Sequence, residues 1–450
     1  MQNLQIHFEK PIGKIKAMHA VGQPPFFGMD FSYCKYLQAA NIPYSRLHDV
    51  GGAYGRSVFV DVPNIFRNFD ADEKDPASYD FAFTDVLLSE LAKYEVKPVY
   101  RLGVTIENYA EIRAYNIYPP KDFSKWARIC EHIIRHYNEG WANGFFYEIE
   151  YWEIWNEPEG HPDGSNCMWL GTQEEYFALY RIAATHLKNC FGDKIKIGGF
   201  AATGFSSLKY ENSQRALQTG NTEGLTDREA IVLHRQTYYL AFLEMLKEHR
   251  PPIDFFSWHS YEPFDFNFIQ QAYAEETLAE AGYSDIEIHL NEWNTHYRMH
   301  NRGTAEAAAH SAALMCGMQK TKMTMMNFYD ARLGHSNYAG LFSPLTLRPF
   351  ATYDAFFAFG ALYALGGELA VEGAGKNVYT CAASDGKDNG VLIVNTGARK
   401  EFSLNFEGKC YAYLCKNGKR IQAASLDPAA FALKKNEFVL FSTKALTIPE

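Results

Sequence analysis

The sequence predicts an α/β chain built as a (β/α)8 TIM barrel with a small C-terminal all-β sandwich domain. Three observations predict it. Strand-like and helix-like segments alternate over residues 17–365, which is the pattern of βα units and a parallel sheet. Residue types that do chemistry gather where those strands end, the face on which barrels of this kind carry their sites. After Gly366-Gly367 the pattern changes to short strands punctuated by turn pairs.

Residues 1–16 hold a lone alternating strand, Leu4 to Phe8, which is assigned with residues 366–450 to an accessory β-sandwich domain, leaving 17–365 to the catalytic barrel. The expected barrel strands are Ala17 to Gly22, Tyr44 to Leu47, Lys97 to Arg101, Tyr151 to Trp155, Ile195 to Gly199, Phe255 to Trp258, Glu287 to Leu290 and Thr324 to Tyr329. Between them, Phe83, Val86, Leu87, Leu91 and Tyr94 fall on one helical stripe, as do Trp126, Ile129, Ile133, Ile134 and Tyr137. Thr172 with Glu175 forms a capping box that opens a helix running to about Asn189. Further helices are expected over 227–249, 304–318 and 353–365, with long loops after strands four and five. In the tail, Cys415-Lys416-Asn417-Gly418-Lys419 is a hairpin signal, because Asn-Gly suits a turn with two positive φ angles.

Composition excludes several classes of function. A formal net charge of -10 over 450 residues, with no Lys/Arg run, argues against nucleic acid or an anionic membrane as partner. The start of the chain lacks a basic segment followed by an apolar one, and no stretch is apolar enough to span a bilayer, so a soluble cytoplasmic protein is expected unless a leader was removed. Eight scattered cysteines without a CxxC read as reduced, mostly buried thiols. His132 and His136 stand four apart on a helix as zinc ligands do, but without the HExxH order or a third ligand they read as a solvated face. The glycine cluster Gly198 to Gly204 lacks dinucleotide spacing, so no metal and no organic cofactor is expected. The number of subunits stays open, a homo-oligomer included.

The chemistry centres on Tyr151-Trp152-Glu153-Ile154-Trp155-Asn156-Glu157-Pro158, a strand ended by a proline. A period of two places Tyr151, Glu153, Trp155 and Glu157 on one face, with Glu157 at the rim, and in strand seven it aligns Ile288, Leu290 and Glu292. The two glutamates then converge, and a carboxyl pair is what glycoside hydrolysis by double displacement requires. At about 5 Å and an effective dielectric of about 20, two ionised carboxylates repel by roughly 3 kcal/mol, or about two pKa units, so proximity itself separates acid from nucleophile. Arg46 is the cation that Glu153, inside the barrel, requires. Trp155, Trp169 and Trp293 divide between packing aromatics and stacking platforms for a sugar ring.

Glu-Ile-Trp-Asn-Glu-Pro at 153–158 and Asn-Glu-Trp-Asn-Thr at 291–295 resemble the acid/base and nucleophile signatures of glycoside hydrolase family 39, whose members include β-xylosidases and α-L-iduronidases. The likeness takes in Arg46-Leu-His48, Trp258-His259-Ser-Tyr261 and the appended β module. It implies a retaining barrel with Glu157 as acid/base, Glu292 as nucleophile and Asn156 on the sugar 2-hydroxyl. His259 and Tyr261 would line the pocket, Tyr297 would donate to the nucleophile, and His48, Arg46, Trp293 and Asp330 join the candidate substrate-binding residues. Asn291 and the pair Phe328-Tyr329 depart from the family pattern and alter the sugar platform, with Arg332 and His335 nearby. The expectation is an exo-acting glycosidase on short oligosaccharides, β-xylosides first. Other neutral sugars (β-glucosides, β-galactosides, α-L-arabinosides) follow, and a non-catalytic carbohydrate-binding barrel is the alternative of a different class.

Overall fold

A computed structural model describes residues 1–9, 11–50, 60–105, 117–162, 164–295, 301–334, 338–406 and 408–450. Eight parallel strands close into a barrel: Ala17–Gly22, Tyr44–Leu47, Lys97–Leu102, Tyr151–Ile154, Lys196–Ala202, Phe255–Ser260, Glu287–Trp293 and Met323–Phe328, numbered one to eight below. Strand eight pairs with strand one, so no edge remains. All eight expected strands form, within a few residues at their ends. The outer ring includes helices Ala82–Lys93, Phe123–Glu139, Gln173–Phe191, Asp227–His249, Phe266–Glu280, Ala305–Met318 and Ala351–Leu365.

The capping box of Thr172 and Glu175 is present, with both bonds made. A second box, Thr226 with Glu229, opens the next long helix. Helix Phe266–Glu280 was not legible in the sequence. Its buried face carries Asn267, Gln270 and Gln271 beside Ala274 and Leu278, so the apolar stripe that betrays a helix is broken by polar residues. Those amides serve the loops at the barrel mouth, Gln270 accepting from the Phe205 N–H at 2.7 Å and donating to Ser260 Oγ at 2.8 Å. The length beyond a minimal barrel is spread more widely than expected: besides the loops after strands four and five, long connections follow strands two and eight.

Two further sheets lie outside the barrel. A four-stranded sheet runs Val371–Glu372, Gln2–Ile6, Lys400–Leu404, Phe431–Leu433, so the lone N-terminal strand does pair with C-terminal segments. A seven-stranded sheet orders Gln422–Ala424, Tyr411–Cys415, Glu437–Ser442, Asn389–Asn395, Val378–Ser384, Gly367–Leu369 and Gly13–Lys14. The apolar run of Asn389–Asn395 is explained by burial on both faces. Val391 and Ile393 pack with Leu4, Phe402 and Phe431 of the smaller sheet, while Leu392 and Val394 belong to the barrel core. One buried polar tie fastens the parts, Asp354 of the last barrel helix accepting from Arg420 Nε at 2.8 Å and from the Ile421 N–H at 2.7 Å. The Asn417-Gly418 turn forms as expected, both residues at positive φ, with the Lys419 N–H donating to the Lys416 carbonyl.

Candidate active site

Along strand six the alternation holds to the rim. Phe255, Ser257 and His259 face the barrel interior, where Phe255 stacks on His289, Ser257 donates to Glu153 and His259 meets Glu157. Phe256 and Trp258 face the helices.

Strands four and seven reach the mouth by breaking that alternation. Tyr151 and Glu153 point inward, but the strand ends at Ile154, and Trp155 and Glu157 both take left-handed backbone (φ 72 and 44). Trp155 therefore turns outward, fully buried against Trp126 and Trp169, and does not share a face with Glu157. The turn is pinned where it leaves the sheet: the Glu157 N–H donates to the Ala201 carbonyl, and Asn166 Nδ2 donates to the carbonyls of Glu157 and Pro158. In strand seven it is Glu287, His289 and Asn291 that face inward, while Ile288 and Leu290 pack on the helices. Glu292 comes inward through a register shift: Trp258 pairs with Leu290 but His259 with Glu292, and on the other side Met326 pairs with Leu290 but Phe328 with Trp293. This bulge lets two consecutive side chains, Asn291 and Glu292, enter the site.

What results is a dense charged cluster. Arg46, fully buried, donates through Nε and Nη2 to Glu153 Oε2 at 2.8 and 2.6 Å, through Nη2 to Asn156 Oδ1 at 2.7 Å, and through Nη1 to Glu292 Oε1 at 2.7 Å. The other Glu153 oxygen accepts from Ser257 Oγ at 2.6 Å and from Asn291 Nδ2. Glu292 Oε2 accepts from the Tyr261 hydroxyl at 2.6 Å. His259 Nδ1 stands between the glutamates, 2.7 Å from Glu157 Oε1 and 3.6 Å from Glu292 Oε2. A carboxylate oxygen of Glu157, one of Glu292 and a ring nitrogen of His259 all lie within 4.8 Å of one another. Glu157 is the accessible member, its side chain 23 % exposed against 8 % for Glu292.

Burial pushes both carboxyls up. At Glu157 the hydrogen bond and charge of His259 outweigh burial and hold the group below the usual carboxylate range. At Glu292 burial prevails over His259 and Arg46, and the Glu157 charge adds to the rise. Burial alone would keep His259 neutral, but the two glutamates raise it above its ordinary value. His48 is the reverse case, held well below its usual value by burial and by the Arg101 and Arg46 charges. Arg101 Nε donates to its Nδ1 at 3.1 Å, so the remaining proton sits on Nε2, 3.1 Å from Asp49 and 3.8 Å from Glu292.

Carboxyl groups about 5–5.5 Å apart suit attack by one on the anomeric carbon while the other protonates the departing oxygen; a gap of about 6.5–9.5 Å leaves room for a water instead. The observed separation falls on the short side. The three groups could also enclose a cation, but Arg46 already supplies a positive charge against Glu292, and His259 Nδ1 is engaged with Glu157.

Of the sequence-predicted residues, Arg46, His48, Asn156, Glu157, His259, Tyr261 and Glu292 meet here. Tyr297 and His335 lie outside the described residues. Trp293 does not reach the cavity: the bulge that turns Glu292 inward turns Trp293 outward, fully buried between Phe328 and Phe356. Trp155 and Trp169 are packing residues as well, their indole N–H groups spent on the carbonyls of Met168 and Thr172. Asp330 is buried and bonded to Arg332 at 2.8 Å, a partner for that guanidinium. The aromatic surface beside Glu292 is instead a tyrosine trio, Tyr261 stacked on Tyr338 at 4.7 Å with Tyr329 edge-on to both. Sequence reading missed Ser257, Asp49 and Tyr338, and also the pair Arg101–Asp61 (2.6 Å) behind His48. A polar residue alternating with Phe255 and His259 was the only signal, and it pointed to Ser257.

A buried carboxylate pair at the C-terminal mouth of a (β/α)8 barrel is the arrangement that defines glycoside hydrolases of the two-carboxylate kind. The family model for glycosyl hydrolases family 39 matches residues 20–320, and the chain belongs to that family. A β-xylosidase of Geobacillus stearothermophilus is 24% identical over 290 residues, 58% of this chain and 50% of that protein. A β-xylosidase of Caldicellulosiruptor saccharolyticus is 28% identical over 234 residues, 50% and 39% of the two chains. The chain thus spans half or less of the length of these curated relatives. Among solved structures, a glucosidase from Croceicoccus marinus superposes with a TM-score of 0.75 at 20% identity over 98% of both chains. A monomeric β-xylosidase from Caulobacter crescentus gives 0.67 at 14% identity over 98% and 99%. These likenesses extend the common fold to both the barrel and the appended sheets. Among the described residues no helix is long and apolar enough to cross a membrane.

Proposed function

We propose that this chain is a retaining exo-glycosidase that removes the terminal sugar of short glycosides, β-xylosides first. The observation that carries the reading is the approach of the Glu157 and Glu292 carboxylates to within 4.8 Å, with His259 between them. Glu292 attacks the anomeric carbon while Glu157 gives its proton to the leaving oxygen. Water then enters, gives a proton back to Glu157 and its oxygen to the anomeric carbon, and Glu292 leaves as a carboxylate. Arg46 and Tyr261 hold the two Glu292 oxygens, which fixes the nucleophile's plane before substrate arrives. Asn156 gives its carbonyl oxygen to Arg46, leaving its NH2 group as donor to the sugar 2-hydroxyl. His259 sets the proton inventory: at 2.7 Å from Glu157 it can pass a proton to that carboxylate as the leaving group takes one.

The sugar follows from the names of the curated relatives, both β-xylosidases. The tyrosine trio beside Glu292 favours an uncharged ring, and the nearby guanidinium of Arg332 is bonded to Asp330. Cys34, Cys130, Cys190, Cys316, Cys381, Cys410 and Cys415 carry no disulfide, which suits the cytoplasm. Residues 17–365 act as the catalytic unit, with 1–16 and 366–450 bracing it as an accessory sandwich.

Hydrolysis rates on nitrophenyl β-xyloside, β-glucoside, β-galactoside and α-L-arabinoside test the reading, with the β-xyloside expected fastest. A faster β-glucoside reassigns the sugar. Binding of sugars without hydrolysis of any of them replaces the enzyme with a carbohydrate-binding barrel.

A further inference from the structure

We propose that Glu131, His186 and Cys190 form a binding site for a divalent transition-metal ion of the zinc type on the outer wall of the barrel. His186 and Cys190 lie four residues apart in helix Gln173–Phe191, and Glu131 projects from the adjoining helix Phe123–Glu139. That spacing puts the imidazole and the thiol on one helical face, one turn apart.

The donor atoms converge. His186 Nε2 is 2.7 Å from Glu131 Oε2 and 3.7 Å from Cys190 Sγ, and one donor atom of each residue lies within 4.8 Å of the other two. Both neighbours approach the same ring nitrogen. A proton relay to the thiol would need the carboxylate on one nitrogen and the sulfur on the other, so the geometry is that of ligands around a common centre. For tetrahedral zinc with bonds of about 2.0–2.3 Å, ligand atoms stand roughly 3.3–3.6 Å apart. The sulfur–nitrogen distance already fits, and the oxygen–nitrogen distance needs to open by only about half an ångström.

Glu131 is oriented for the task. Its Oε1 accepts from Arg135 Nε at 2.8 Å, which turns Oε2 toward the imidazole as an outer partner orients a metal-binding carboxylate. The Arg135 charge opposes a cation, and the thiolate charge offsets it. The thiolate is the metal-binding form of a cysteine, so an ion that binds here displaces the Cys190 proton. All three residues are half-buried, leaving an approach from solvent. Sulfur, imidazole and carboxylate together select zinc, cobalt or cadmium over magnesium or calcium. The histidine pair singled out by spacing, His132 and His136, does not converge: their Nδ1 atoms bond the carbonyls of Arg128 and Trp141, and His136 is buried against Phe81 rather than solvated.

Titration of the reduced full chain with Co2+ alone is the test. One equivalent should produce a thiolate-to-cobalt charge-transfer band in the near ultraviolet, release about one proton, and be displaced by one equivalent of Zn2+. C190S should abolish the band, and E131Q, which keeps side-chain volume, should weaken Co2+ binding by tenfold or more. Thermal unfolding of the metal-free variants establishes that they are folded, and Zn2+ should raise the wild-type midpoint and not that of C190S. No band in the wild type, or an undiminished band in folded C190S, overturns the site.

Discussion

Two groups of buried charge sit in the same barrel, one at its floor and one at its mouth, and both take a glutamate from strand seven. At the floor, Glu287 accepts from Lys196 at 2.6 Å and from Tyr151 at 3.0 Å, and lies 2.9 Å from His289 Nε2. At the mouth, Glu292 shares Arg46 with Glu153 and His259 with Glu157. Burial pushes both carboxyls up. At the floor the donors overcome it and bring Glu287 down to about 2; at the mouth they do not, and Glu292 ends above its usual value. Buried carboxylates with sufficient donors are structural, whereas three carboxylates dividing one guanidinium and one imidazole leave a proton whose position substrate can change. Glu292 is also the more deeply buried of the two, its side chain 8 % exposed against 22 % for Glu287, so burial and partner supply together separate them.

The sharpest break in that comparison comes from exchanging roles. Glu292→Gly should lose on the order of 10⁴- to 10⁶-fold in kcat and recover turnover with added azide, yielding an azido sugar of inverted configuration. Absence of rescue in a folded variant would move the nucleophile elsewhere. Glu157→Ala should cost about 10²- to 10⁴-fold on alkyl glycosides and far less on aryl glycosides whose leaving group needs no proton. Equal losses on both would remove its role as acid.

His259→Asn tests whether the mouth is short of donors by design. With His259 present, Glu157 loses its proton at lower pH than an ordinary carboxyl. Without it the carboxyl keeps the proton longer, so the basic limb of the kcat/KM profile should move to higher pH while overall activity falls. An unmoved limb would separate His259 from the acid's titration.

Glu287→Gln should leave the activity profile in place and lower stability by about 2 kcal/mol at pH 7. Because the folded-state value is depressed to about 2 from 4.5, this stabilisation is full above about pH 4.5 and is lost as pH falls through about 2. Urea unfolding of both proteins across that range should show the gap closing. A constant gap would mean the glutamate acts through packing alone.

Much of this fold is legible in the sequence. Strand positions were legible because strand-like segments recur between helical stripes at the spacing of βα units, and the motif around Glu157 pointed to the cluster at the mouth. Arg46 as the cation for Glu153 followed from the cost of an unpaired buried charge, and the pair forms. Side-chain direction near the mouth was not legible. Period two fails at Trp155, where the backbone turns left-handed, and at Asn291–Glu292, where a bulge inserts a residue; neither leaves a mark in residue type. That error put Trp155 on the face of Glu157; Trp293 entered through the family resemblance, and of the tyrosine trio only Tyr338 was missed. Ser257 and the Arg101–Asp61 pair escaped because their partners are distant in the chain, and pairing over such separations has no local pattern.

The most direct measurement of the central claim is proton NMR of the first sugar released from a β-glycoside, before mutarotation. With Glu292 as the nucleophile the expected product is the β-anomer, formed by two successive inversions. Appearance of the α-anomer first would mean that a water, and not Glu292, attacks the anomeric carbon.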